Sequence, residues 1–231
     1  MIKFYSYFRI SIPFMASQTE ENYLKALFNL ADEKGEISVS ELSNILQVST
    51  PTANSMVKKL HEQGLVHYEK YKPLSLTPRG KKEAALIIRK HRLTEMYLVE
   101  KMGFGWEKVH EIAEQIEHIK STAFFDRMDE LLEHPTIDPH GSPIPDKHGR
   151  VIWKSYQKLA DCKPGETVKL AAITNSSEEF LKFLNDKKLS LGLSIKVESV
   201  ETFDGSMHIS YLKNQRQTLS ALVCEKLLIK V

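Results

Sequence analysis

Between residues 38 and 60 the apolar positions recur at the spacing of two short helices. Leu42, Ile45 and Leu46 fall on one helical face, and Ala53, Met56, Val57 and Leu60 follow at i, i+3, i+4 and i+7. The punctuation agrees. Ser38-Val-Ser-Glu41 is a capping box, with Ser38 as N-cap and Glu41 at N3. Gln47-Val48-Ser49 makes a tight connection, Thr50 caps the second helix, and Pro51 stands at N1, where a missing N–H does no harm. Gly64 sits where that helix should stop. Residues 65–70 and 74–77 then alternate as two strands around Tyr71-Lys72-Pro73. Helix, helix and hairpin predict a winged helix-turn-helix.

Helical signals continue to about residue 133. The stretch 134–150, HPTIDPHGSPIPDKHGR, holds four of the nine prolines and two of the ten glycines, cannot continue a helix, and reads as a linker. Beyond it, short apolar runs at residues 167–173, 193–200, 207–212 and 226–231 are broken by turn signals such as Pro164-Gly165 and Asp204-Gly205. They predict a small β-rich domain with one helical insert near residues 177–185. The first 14 residues are aromatic-rich, but Arg9 interrupts the apolar run and no cleavage signature follows. Met1 and Met15 both remain as starts, the latter making residues 1–14 an upstream extension.

The chain has 231 residues, 42% hydrophobic and 27% charged, as in an ordinary globular protein. That excludes a disordered tail protein, a collagen-like chain and a disulfide scaffold. Cys162 and Cys224 are the only cysteines, which favours a reduced, intracellular setting. No run approaches the ~18 apolar residues of a membrane span. The net charge of +2 says little, but its distribution says more. Ten basic residues between Lys58 and Arg92 face only three acids, and residues 100–150 reverse the sign with eleven acids against six bases. An anion-binding surface beside a cation site would look like this, and so would two solvated helix faces.

Two constellations carry chemistry. The polar face of the second short helix presents Ser49, Thr50, Pro51, Thr52, Asn54, Ser55, Lys58 and Lys59, and the wing adds Lys70 and Lys72. Small hydroxyl and amide groups near a helix N-terminus reach base edges and phosphates, and lysines add backbone attraction. The other constellation is metal-capable. His91 and Glu95 stand at i, i+4 on a helix beginning after Thr77-Pro78. His110, Glu114, Glu117 and His118 stand at i, i+4, i+7 and i+8, a spacing that places them on one helical stripe beside Val109, Ile112, Ala113, Ile116 and Ile119. If the two helices pack together, six donors surround one or two divalent ions; an exposed acidic face is the rival reading. It is no zincin, since His110-Glu111-x-x-Glu114 lacks the second histidine of that motif.

With these residues in view, the chain resembles the diphtheria-toxin-repressor family of metal-dependent transcriptional repressors, including its manganese-transport-regulator branch, over roughly residues 17–231. The matching stretches are Thr19-Glu-Glu-Asn-Tyr-Leu24, the helix-turn-helix through Leu-Thr-Pro-Arg-Gly80, Arg-Lys-His-Arg-Leu93, Val-His-Glu-Ile-Ala-Glu-Gln-Ile-Glu-His118 and Pro-His-Gly-Ser-Pro-Ile-Pro145. The resemblance implies a mainly α fold with a β-rich C-terminal domain. Residues 1–16 would be an extension, 17–80 the winged helix, 81–150 a helical dimerisation and metal domain ending in the proline-rich linker, and 151–231 an SH3-like barrel shared with ferrous-transport accessory proteins. It implies a primary metal site on Asn22, Glu114, Glu117 and His118 and an ancillary one on His91, Glu95 and His110. Iron-type members carry Met and Cys where Asn22 and Glu114 stand, so Glu114 is similar to manganese-type members, and sulfur-free donors suit Mn²⁺. Manganese-type members often have Asp at the Asn22 position and, in two-domain forms, Glu where Lys25 stands, so Fe²⁺ remains the alternative. The loop near residues 175–178 is short, and no ancillary ligand is carried over there.

The expectation is a cytoplasmic homodimeric repressor, activated by Mn²⁺ or Fe²⁺, binding double-stranded DNA with a palindromic operator, without membrane association or catalysis. Two rivals differ in class. A metalloenzyme would use Glu111 or Glu114 as general base, but no nucleophile accompanies them. A ferrous-transport adaptor would rest on residues 155–231 and leave residues 38–80 unexplained.

Overall fold

The computed structural model describes residues 16–34, 37–174, 176–213 and 215–230. The alternative starts at Met1 and Met15, and position 175 of the short loop, lie outside the described residues. The chain divides after Gly80 into two compact units.

The first unit is built on three helices: α1 (Gln18–Lys34), α2 (Val39–Ile45) and α3 (Thr50–Glu62). A hairpin of β1 (Val66–His67) and β2 (Ser75–Leu76) follows. The Ser38–Glu41 capping box is present in both directions, Glu41 N donating to Ser38 Oγ at 3.1 Å and Ser38 N to a Glu41 carboxylate oxygen at 3.0 Å. The cap of α3 is Ser49 and not Thr50. Its Oγ accepts from Thr52 N, which moves Thr50 into the first helical position and Pro51 into the next. The sequence offers two hydroxyls in a row here, and the one with extended backbone takes the cap. Ala53, Val57 and Leu60 are buried as their spacing requires, with Met56 half-buried. Ile45, however, is 55% exposed; Ser43 is buried instead, its Oγ bonded to Ser40 O. The wing strands are two residues each, shorter than their alternation suggested.

In the second unit, α4 (Pro78–Glu100, its first turn belonging to the first unit), α5 (Val109–Ile116) and α6 (Thr122–Leu131) form the helical part. Leu93, Phe125, Met128 and Ile144 form its core. The C-terminal part is a six-stranded antiparallel sheet. Its strands are β3 (Gln157–Lys158), β4 (Thr167–Ile173), β5 (Ser194–Val200), β6 (Met207–Tyr211), β7 (Gln215–Leu219) and β8 (Leu227–Lys230), in the spatial order β3-β8-β4-β5-β6-β7. Helix α7 (Glu178–Asp186), capped by Ser177, is the expected insert, and α8 (Ala221–Lys226) precedes β8. Buried Leu170, Ile195, Val197, Ile209 and Leu219 come from alternate positions on these strands and meet Leu181 and Leu184 of α7. Strands β3 and β7 and helix α8 had no counterpart in the sequence reading. Gln215-Arg-Gln-Thr-Leu219 turns only Leu219 fully inward, and the other two are too short to show a period.

The proline-rich stretch breaks the helix as expected but is no loose linker. Asp138, His140 and Ile144 are buried. Arg89 donates to Pro145 O at 2.8 Å, and Arg92 donates to Pro143 O. The pairing of β4 shifts register between Leu170 and Ala172, and the segment meets this strand where Ile173 N donates to His140 O at 3.0 Å. Gly141 is the point of closest approach, with φ +89° and an ideal Cβ only 2.4 Å from Ala171 O.

Two stability predictions follow from these contacts. Gly141→Ala meets both a backbone clash and a left-handed φ, so it should lower the unfolding temperature of the full chain by several degrees, whereas Gly165→Ala, with open space around it, should cost less. Buried Glu20 accepts from Ser17 N at 2.7 Å and Gln63 Nε2 at 2.7 Å and pairs with Lys59 at 3.2 Å. Burial pushes its carboxyl up, but these donors outweigh it and hold the pKa at about 2 against a usual 4.5. A depressed carboxylate pKa stabilises the fold above the usual value and loses that contribution as pH falls through the folded one. Glu20→Gln should therefore cost on the order of 2 kcal/mol at pH 7. In urea unfolding the gap to wild type should narrow between pH 4.5 and 2.

Candidate metal centre and DNA-binding surface

In the first unit, Ser49, Thr50, Pro51, Thr52, Ser55, Lys58, Lys59, Lys70 and Lys72 are all exposed. Asn54 is half-buried, and its Oδ1 accepts the Tyr68 hydroxyl at 3.0 Å, so it braces the wing against α3. Ser49 and Thr52 hydroxyls bond each other at 2.8 Å, and Ser55 Oγ donates to Pro51 O at 3.0 Å. The N-terminus of α3 thus carries a row of small exposed hydroxyls with Lys58 and Lys59 further along, groups of the kind that bond base edges and phosphates.

Metal-capable side chains converge in the second unit. His91 and Glu95 project from the middle of α4, and His110 and Glu114 from α5. The expected single stripe from His110 to His118 does not exist as such. Helix α5 ends at Ile116, with Glu117 as its C-cap and His118 beyond it. The chain's turn there carries Glu117 inward to full burial and leaves Ile119 exposed. His91 is the hub. Its Nδ1 lies 2.6 Å from Glu117 Oε2, and its Nε2 lies 3.0 Å from Glu95 Oε1 and 3.1 Å from His110 Nδ1. His110 Nδ1 is 3.2 Å from Glu95 Oε1, and its Nε2 is 3.5 Å from Glu114 Oε1. His118 Nε2 is 3.7 Å from Glu117 Oε1. Six of the seven expected donors therefore lie in one connected cluster. The seventh, Asn22, belongs to the first unit, where its Oδ1 is buried with no hydrogen-bond partner among the described residues.

Mutual approach sorts these donors differently from the two sites the resemblance implies. His91, His110 and Glu114 bring one ligand atom each within 4.8 Å of one another, and a second, fully buried trio joins Glu95 to Asp138 and His140. Glu95 bridges the two, with Oε1 toward His91 and His110 and Oε2 3.7 Å from His140 Nδ1. Burial raises the Glu95 carboxyl, but hydrogen bonds from His110, His140 and His91 win and hold it well below the usual range. Asp138 is pushed up by burial and by the Glu95 charge, with Arg92 and His140 opposing. Burial lowers His140, and Glu95 and Asp138 more than offset it, so its pKa rises. Asp138 and His140 were missed because they sit in an irregular segment, where no helical or strand period marks an inward face.

Three carboxylates among imidazoles form a nitrogen and oxygen donor set without sulfur, which fits Mn²⁺ or Fe²⁺. A divalent ion answers the same negative charge and releases protons as it binds.

A winged helix, a helical segment gathering nitrogen and oxygen donors, and a C-terminal antiparallel sheet define a class, the DNA-binding regulators that respond to a divalent metal. Family models agree. "Iron dependent repressor, N-terminal DNA binding domain" matches residues 15–74, and "Iron dependent repressor, metal binding and dimerisation domain" matches residues 77–146. The iron-dependent repressor IdeR of Mycobacterium leprae is 35% identical over 127 residues, 55% of each chain, so the match spans about half the length of that relative. The HTH-type transcriptional regulator MntR of Bacillus pumilus is 34% identical over 52% of this chain and 82% of its own. Among solved structures, a manganese-dependent transcriptional repressor in complex with manganese has a TM-score of 0.82 at 30% identity, covering 91% of this chain and 98% of its own. IdeR of T. acidophilum has a TM-score of 0.73 at 27% identity, covering 94% and 99%. The chain belongs to the iron-dependent repressor family, a family of metal-dependent transcriptional repressors and not of enzymes. No helix among the described residues is long and apolar enough to cross a membrane.

The geometry makes a direct prediction. Mn²⁺ at about 100 times its Kd should stabilise the full chain by about 2.7 kcal/mol in thermal or urea unfolding, reversibly with chelator. His91→Ala removes the hub and should reduce that gain. An undiminished gain in this variant would place the stabilising ion on donors other than the His91, Glu95 and His110 set.

Proposed function

We propose that this chain is a homodimeric repressor whose DNA affinity is raised by Mn²⁺, with Fe²⁺ as the alternative corepressor, and that it silences metal-uptake genes in the cytoplasm. The observation that carries this reading is the sulfur-free cluster around His91, on a chain that also exposes the hydroxyl and lysine face of α3. A bound divalent cation supplies positive charge that the clustered carboxylates lack. Glu114, Glu117 and His118 are the proposed primary ligands from the second unit, with Asn22 contributing its orphaned oxygen from the first. His91, Glu95 and His110 form the proposed ancillary site. Through Asn22, occupancy favours the arrangement of the first unit that binds DNA. The apolar stripe of α6 supports self-association. Phe124 and Leu131, seven residues apart on one helical face, remain partly exposed, at 43% and 39%, beside buried Phe125 and Met128. A twofold dimer presents two equal heads, which calls for a palindromic operator with half-sites in successive major grooves.

The test is fluorescence anisotropy on DNA from upstream of this protein's own gene, anaerobically, with chelator, Mn²⁺ or Fe²⁺. Coupling free energies of about 1–3 kcal/mol imply binding roughly 5–150-fold tighter with metal. The ion acting at the lower free concentration is the stronger activator in vitro. Asn22→Ala should lose most of the metal effect while its metal-free binding stays unchanged. Equal binding in chelator and metal would overturn the reading. Sedimentation of the wild type should return the mass of two chains.

A further inference from the structure

The tip of the wing carries an exposed aromatic ring. Tyr71 is 93% exposed, between Lys70 and Lys72, and its backbone is left-handed at φ +67°. Glycine and asparagine enter that region readily and aromatic residues do not. Neighbouring Tyr68 behaves in the opposite way, its hydroxyl donating to Asn54 of α3. The base of the wing is fastened where Leu74 N donates to Ile37 O at 2.7 Å. The tip itself is cationic. Lys70 Nζ stands 4.7 Å from the centre of the Tyr71 ring, and Lys72 pairs with Glu69 at 2.8 Å. An open groove is lined by Ser38, Val39 and Glu41 at the start of α2, by Thr50 and Asn54 of α3, and by the wing from Tyr68 to Pro73. Tyr71 thus lines the same groove as the N-terminus of α3. The ring is solvated in a backbone conformation that disfavours it, it meets the Lys70 ammonium, and lysines on both sides suit a polyanion.

We infer that Tyr71 is a DNA-contacting residue, its hydroxyl donating a hydrogen bond to a phosphodiester oxygen of the duplex that α3 reads. This rests on the repressor reading above. A phosphate contact positions the protein and carries no sequence information, so its loss weakens operator and unrelated DNA alike. Tyrosine is uncharged, so the salt dependence of binding stays the same, whereas each lysine removed lowers the salt slope by about 1.

The test uses the full-length metal-loaded protein, an operator duplex selected from a random library by the wild type, and an unrelated duplex of equal length. Tyr71→Phe removes only the hydroxyl. Tyr71→Asn removes the ring while keeping a residue at ease in the left-handed backbone, and unfolding temperatures confirm that both variants fold. Both should weaken binding about tenfold on both duplexes, the expected cost of a hydrogen bond to a charged group, with an unchanged salt slope. Lys70→Ala should lower the slope. Wild-type affinity in Tyr71→Phe, with the wild type still metal-dependent, overturns this inference alone. A loss confined to the operator overturns the phosphate assignment. Absence of metal-dependent binding by the wild type overturns the repressor reading, and this inference with it.

Discussion

An imidazole held between buried carboxylates is the constraint that organises the second unit. His91 has Glu117 against one ring nitrogen and Glu95 against the other. Taking ions out of water costs several kcal/mol each unless opposite charge and hydrogen bonds replace the solvent. Glu95 and Glu117 therefore depend on His91 and its neighbours, and α4 and α5 must keep the register that brings them together. The same need makes the cluster receptive to a divalent ion.

Glu95 extends this constraint toward the sheet. Its second oxygen faces His140, whose ring stacks on Trp106 at 5.9 Å and whose carbonyl accepts from Ile173 of β4. Trp106 in turn donates to Asn185 at the end of α7 at 2.7 Å. The proline-rich segment is thus the middle member of a chain of contacts from the donor cluster to the sheet domain. Its prolines suit that place, because the segment crosses between two packed bodies and uses carbonyls, at Pro143 and Pro145, as acceptors for Arg92 and Arg89.

What the sequence disclosed depended on periodicity. The buried stripe of α3, the capping box at Ser38, strand β4 and helix α7 each repeat an apolar or capping signal at a fixed spacing, and each stands where that signal put it. Six of the seven metal-capable residues were legible because His and Glu on facing helices are conspicuous at i, i+4. Failures occur where a period stops. Helix α5 ends before Glu117, so the stripe drawn through His118 bends inward. Ile45 fits a helical face in isolation, but the short α2 buries Ser43 and leaves it in solvent. Asp138 and His140 belong to irregular backbone, where only the folded chain shows which side chains turn in.

The same donor chemistry bears on metal choice. Thiolates would bias a site toward zinc, Cu(I) or iron–sulfur chemistry, whereas imidazole and carboxylate accept Mn²⁺ and Fe²⁺ with small differences. Both cysteines of this chain are buried in the sheet-domain core. Burial, with a lesser push from nearby Glu166 and Asp161, raises the Cys162 thiol, and burial raises Cys224 to about 12, so both stay protonated and apolar at neutral pH. The donor cluster is therefore built without sulfur and has none in reserve. The proposed ligand Asn22 sharpens the point, because an amide oxygen would add a donor without adding charge. A site with one carboxylate fewer holds its ion more weakly, which shifts the response toward higher free metal without changing which hard cations it accepts. On this argument, a charged oxygen in place of Asn22, as in Asn22→Asp, tightens the metal response while leaving the discrimination between Mn²⁺ and Fe²⁺ to their availability.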